Sequence, residues 1–132
     1  MSTHLWEVGI ADKRPIGEIE QARRAFDDRD WSQACARLIA ADASTTLAPH
    51  DLRRLAEAAV LIGGYAVAED AWARAHEAFL ARGEVAAAVR CAFWLGLVLL
   101  TGRGEVARGG GWIALARRLL EEHGLEDRAE RG

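Results

Sequence analysis

Tyr65-Ala66-Val67-Ala68-Glu69-Asp70-Ala71-Trp72-Ala73-Arg74-Ala75 carries the pattern that decides the fold. A large apolar residue, Tyr65, is followed by small Ala68, large Trp72 and small Ala75. The same quartet recurs as Trp31, Ala34, Leu38, Ala41 and as Val106, Gly109, Ile113, Ala116. The first two copies begin 34 residues apart and the last two 41. Steps of three and four place a quartet on one face of a helix. Its small residues let a neighbouring backbone come close, and its large residues fill the space between. A repeated pair of helices explains the recurrence, because one pair cannot bury its own apolar face.

Working outward, the spacing predicts six helices. Pro15 suits the first turn of a helix that runs to about Asp28. Asp30 is placed to cap a second helix from Trp31, with Cys35 beside the quartet. Ser44 to Ala48 reads as a loop. A third helix starts near Pro49 with a stripe of Leu52, Leu55, Ala56, Ala59 and Ile62, and Gly63-Gly64 ends it. The fourth helix spans about 65–82, with Ala68, Ala71, Trp72, Ala75 and Phe79 inward. The fifth covers about 84–100. The sixth covers about 105–123, with Val106, Ile113, Ala116, Leu119 and Leu120 inward. The fold class is all-α: a right-handed stack of three antiparallel helical hairpins over residues 13–124. Residues 1–12 form a lead-in in which Trp6, Val8 and Ile10 alternate with Glu7 and Gly9, and 125–132 form a frayed tail.

The chain has 132 residues, which suits one domain, and 51% are hydrophobic, enough for a core without staples. A net charge of -3 offers no basic excess for nucleic acid. The ten apolar residues from Cys91 to Leu100 are too few to cross a bilayer, and the N-terminus lacks a signal peptide's pattern. Cys35 and Cys91 read as small buried residues of a reducing compartment. The expectation is a cytoplasmic protein with no nucleic-acid or membrane partner.

Three motifs invite chemistry and fail on their own terms. Gly102-Arg103-Gly104, with Glu121 downstream, imitates a dinucleotide fingerprint, but a fingerprint needs a parallel sheet around it. Gly109-Gly110-Gly111 is not followed by the Lys-Ser or Lys-Thr of a phosphate loop; close packing against the fifth helix, or a late helix start, accounts for it. His76-Glu77 lacks the second His of a zinc site, since Leu80 stands there. The reading assigns no catalytic residue, no cofactor and no metal.

The second hairpin resembles the tetratricopeptide repeat. Leu52, Leu55-Ala56, Ala59, Gly63-Gly64-Tyr65, Ala68, Trp72 and Ala75 fall on that family's large and small positions. The first hairpin departs at Glu18 and Gln21, the third has a longer turn, and none has the family's closing proline. Ala92-Phe93-Trp94-Leu95-Gly96, and Gly111-Trp112 with Ala116-Arg117-Arg118-Leu119-Leu120, also look like helical repeats of actinobacterial LuxR-type regulators, whose DNA-binding domain this sequence does not contain.

The tetratricopeptide resemblance implies a concave face lined by the first helix of each hairpin. It would hold Ile16, Ile19, Arg23 and Asp27, then His50, Arg53, Glu57 and Leu61, then Arg90, Phe93, Leu97 and Thr101. Arg23, Arg53 and Arg90 would suit a carboxylate-bearing ligand or an acidic peptide. The fifth helix, apolar all round from Cys91 to Leu100, is expected to be buried on most sides. Its Phe93, Trp94, Leu97 and Leu100 mark a self-association surface, unless the lead-in covers them or the chain is a fragment or docks on another protein. The function read from this is a non-catalytic protein-interaction module in bacterial regulation, with a protein or peptide partner and a homodimer as the expected assembly. A ligand sensor lined by Trp31, Trp72, Trp94 or Trp112, and an enzyme subunit with an unrecognised site, are the alternatives.

Overall fold

The computed structural model describes residues 17–124, all of whose regular structure is helical, with no strand among the described residues. Helix α1 covers 17–27. The others are α2 (Trp31–Ser44), α3 (Pro49–Leu61), α4 (Tyr65–Ala81), α5 (Val85–Thr101) and α6 (Val106–His123). The helix start at Pro15, Ile16 of the expected concave face, the lead-in 1–12 and the tail 125–132 lie outside the described residues.

Local chemistry sets the boundaries. Asp30 caps α2 by accepting from the Gln33 N–H at 3.3 Å. Pro49 opens α3, where its missing N–H leaves no partner wanting. Gly63 closes the α3–α4 turn at φ 78° and Gly83 the α4–α5 turn at φ 75°, conformations that glycine adopts without a Cβ clash. Thirty-four residues before Gly63, Arg29 takes the same left-handed slot at φ 62°. A non-glycine residue is strained there.

The core follows the quartets in two cases of three. Ala34, Leu38 and Ala41 of the first copy are buried, as are Ala68, Trp72 and Ala75 of the second. The third departs from expectation: Val106 is 69% exposed, whereas Trp31 and Tyr65, which also open their helices, are half-buried against the core. Ile62 is also exposed rather than part of the α3 stripe, since α3 stops at Leu61 and Ile62 leaves the helical course at φ -107°. Asp51 and His76 are buried polar residues that the apolar stripes do not predict.

Each helix packs on the next along the chain from α2 to α6. Alternate helices are joined by guanidinium–carboxylate pairs: Arg23–Asp51 (α1–α3), Arg74–Asp42 (α2–α4) and Arg108–Glu69 (α6–α4). Glycine joins α5 to α6. A Cβ on Gly109 would lie 2.7 Å from the Gly96 carbonyl oxygen, and one on Gly96 would lie 2.8 Å from that of Gly109. Close packing therefore explains Gly109, while Gly110 and Gly111 face open space.

Helix α5 is buried along most of its apolar run. It buries Cys91, Ala92, Leu95, Gly96, Val98 and Leu99, yet Phe93 and Trp94 are 43% and 47% exposed. The helix has more apolar surface than α4 and α6 can cover.

Candidate binding groove

Helix α3 has a helix on either side of it, and the two contacts are built differently. Towards α1, Arg23 donates through Nε to Asp51 Oδ1 at 3.0 Å and through Nη2 to Oδ2 at 2.8 Å. Arg54 adds a third donor to Oδ1 at 3.0 Å. The Asp51 side chain is only 3% exposed. Burial alone would push its carboxyl up, but the Arg23 and Arg54 charges outweigh that and hold it below the ordinary carboxylate range. A space of about 360 Å³ remains beside this pair, walled by Ile19, Leu47, Ala48 and the pair itself.

Towards α5 no such pair forms. Arg53 bonds Glu57 within α3, four residues on, and Arg90 of α5 has no ion pair among the described residues. The helices stand apart over a groove. Its basic end, about 380 Å³, is lined by His50, Arg53, Glu57 and Arg90, with Trp72, Phe79, Ala87, Cys91 and Trp94 as the apolar wall. Its apolar end, about 340 Å³, is lined by Val60 and Leu61 and shares Glu57, Trp72 and Trp94 with the first. The His50 ring meets Phe79 edge-on at 4.9 Å between centroids, which fixes the groove's closed corner.

The residues named from sequence divide accordingly. His50, Arg53, Glu57 and Arg90 come together. Arg23 stands on the α1 side, engaged by Asp51. Phe93 meets Trp94 edge-on at 5.6 Å between centroids but lines a second space, with Val89, Ile113, Ala116 and Leu120. Trp94 takes the groove position. Leu97 is half-buried, and Leu100 packs towards Gly109 of α6. Helix α5 starts 36 residues after α3, whereas the quartets behind them start 41 apart. The start-to-start spacing carries Arg53 onto Val89, next to Arg90, and Glu57 onto Phe93, next to Trp94.

Of the four tryptophans named as candidates for a ligand pocket, two come together. Trp72 and Trp94 line the groove, Trp31 stacks edge-on against Phe26, and Trp112 against His76. Sequence reasoning missed Phe79, Cys91 and Ala87 in the groove wall; their three- and four-residue spacings on α4 and α5 were the available signal.

The groove is poor in reactive chemistry. The Cys91 thiol is pushed up to about 11 by burial, so it stays protonated at neutral pH. Buried His76 donates from Nδ1 to the Ala88 carbonyl at 2.8 Å, tying α4 to α5. Among the described residues no three His, Cys, Asp or Glu side chains gather to hold a metal, and no helix is long and apolar enough to cross a membrane. No family model, curated protein or solved structure matches the chain.

Proposed function

We propose that this chain is a non-catalytic protein-interaction module, a right-handed stack of three antiparallel helical hairpins like tetratricopeptide repeats, whose α3–α5 groove takes an extended acidic segment of a partner. The pairs linking α1 to α3, α2 to α4 and α4 to α6 support the stacked reading, because each joins corresponding helices of successive hairpins. One observation carries the function: Arg90 stands over an aromatic wall with no acidic partner among the described residues. Among the described residues Arg53 and Arg90 share the basic end with one carboxylate, Glu57, so that end has a charge to offer. A carboxylate on Arg90 would form a charge-assisted bond. An apolar side chain two residues along an extended segment would reach the wall of Trp72 and Trp94.

Selection of displayed random peptides on the protein tests this. Enrichment of sequences pairing Asp or Glu with an apolar residue, lost with Arg90→Glu and with Trp94→Ala, is the expected result. No enrichment, or enrichment indifferent to both changes, would overturn it.

A further inference from the structure

We infer that the space between α5 and α6 is a second docking surface, and that its partner is an acidic amphipathic helix of another protein. Val89, Ala92 and Ala116 form a small buried cluster separate from the main core, with Trp112, Leu119 and Leu120 only half covering it. The space beside this cluster is about 310 Å³ and is floored by Val89, Phe93, Ile113, Ala116 and Leu120. Phe93 is 43% exposed there. Among the described residues, the charged side chains lining it are Arg90 and Arg117, with no carboxylate. The close approach of Gly96 to Gly109 joins α5 to α6 beside this space, with Ile113 of its floor against Gly96.

Charge selects the occupant. A second copy presenting the same face would bring its own Arg90 and Arg117 against this pair, and like charges at close range oppose such pairing. The residues after Gly124 (Leu125-Glu126-Asp127-Arg128-Ala129-Glu130) bring acid but one large apolar side chain, too little for a floor of five. A partner helix with apolar residues at i, i+4 and i+7 fills an interhelical groove, and carboxylates flanking that stripe reach both guanidiniums. This surface stands independently of the α3–α5 groove, although Arg90 borders both.

The test uses the full chain and a fluorescein-labelled 18-residue helical peptide with Leu at i, i+4 and i+7 and Glu on both flanks. A second peptide carries Lys in place of Glu. Anisotropy titration is expected to show binding of the Glu peptide, weakened at least about tenfold by Arg117→Glu and by Phe93→Ala, with the Lys peptide far weaker. Arg53→Glu and Leu61→Ala, on the other groove, leave it unchanged. Binding sensitive only to those two changes overturns this inference and leaves the α3–α5 proposal standing. Absence of binding at millimolar peptide, or equal binding of the Lys peptide, also overturns it. So does a sedimentation-defined dimer that Phe93→Ala dissociates, because the occupant would then be a second copy.

Discussion

Helix α3 meets α1 through a buried carboxylate shared by two guanidiniums, and it faces α5 across a groove with no such link. The start-to-start spacing of α3 and α5 carries Asp51 onto Ala87, a residue with nothing to offer Arg53 or Arg90. One side of α3 is therefore closed by its own charges, while the other keeps an arginine in reserve. Alternate helices can stay packed without filling every contact, provided that each helix is held from another direction. Helix α5 is held by α4 and, from its far side, by the glycine contact with α6.

Removing the carboxylate should break the closed side. Asp51→Ala deletes the acceptor of three hydrogen bonds and an acidic group in the first turn of α3. Loss of a buried partner costs up to several kcal/mol when the remaining charge is trapped. Arg23 is 46% exposed and recovers water, so the expected loss is about 2–3 kcal/mol, read by urea denaturation. A change under about 0.5 kcal/mol would mean that the two sides of α3 do not differ in energy as they do in geometry.

The next largest effect concerns what holds α5 in place of a clamp. Gly109→Ala gains about 1 kcal/mol of helix propensity. Its new Cβ would stand 2.7 Å from the Gly96 carbonyl and 3.0 Å from the Leu100 amide nitrogen, both backbone atoms. Overpacking of that kind costs about 1–3 kcal/mol, so a net loss of up to about 2 kcal/mol is expected. Gly110→Ala, with nothing within 4 Å, should stabilise by about 0.5–1 kcal/mol. If both substitutions stabilise, α5 is not held by this contact.

Acid should act mainly on the closed interfaces. The carboxyls of Asp42, bonded by Arg74, and Asp51 are both held below 3.8. A depressed carboxyl contributes stability above its unfolded value, and the contribution disappears as pH falls through the folded value. Thermal midpoints should therefore be flat near neutrality and fall below about pH 4. Asp51→Asn should flatten that fall, because the titrating group is gone. An unchanged acid limb in Asp51→Asn would remove Asp51 as a source of acid lability.

The fold was more legible than the groove for a physical reason. Helix positions follow from spacing, caps and glycine, all local in sequence, so Asp30, Pro49, Gly63 and Gly83 mark boundaries that the structure keeps. Burial of a polar residue depends on a partner far along the chain. Asp51 sits beside the apolar stripe Leu52, Leu55, Ala56, and nothing near it announces Arg23, 28 residues away. The face of α5 was harder still. An apolar run has no polar side to set its phase, and Phe93 and Trp94 are adjacent residues that a shift of one place exchanges between two grooves. Val106 fits the quartet by type, but cover at a helix start depends on neighbours far along the chain, which Trp31 and Tyr65 have and Val106 lacks.

The smallest effect is the sharpest comparison, because it pits one arginine against another. Arg23→Ala leaves buried Asp51 with Arg54 alone and should cost about 1 kcal/mol, a figure reduced by the exposure of the guanidinium. Arg90→Ala removes a guanidinium with no ion partner among the described residues and should change stability by less than about 0.5 kcal/mol. Their effects on ligand binding should run in the opposite order. A peptide selected on the α3–α5 groove should lose affinity with Arg90→Ala and keep it with Arg23→Ala, since Arg23 stands on the far side of α3. If Arg90→Ala destabilises the fold as much as Arg23→Ala, then Arg90 is engaged within the chain and the α5 side of α3 is closed after all.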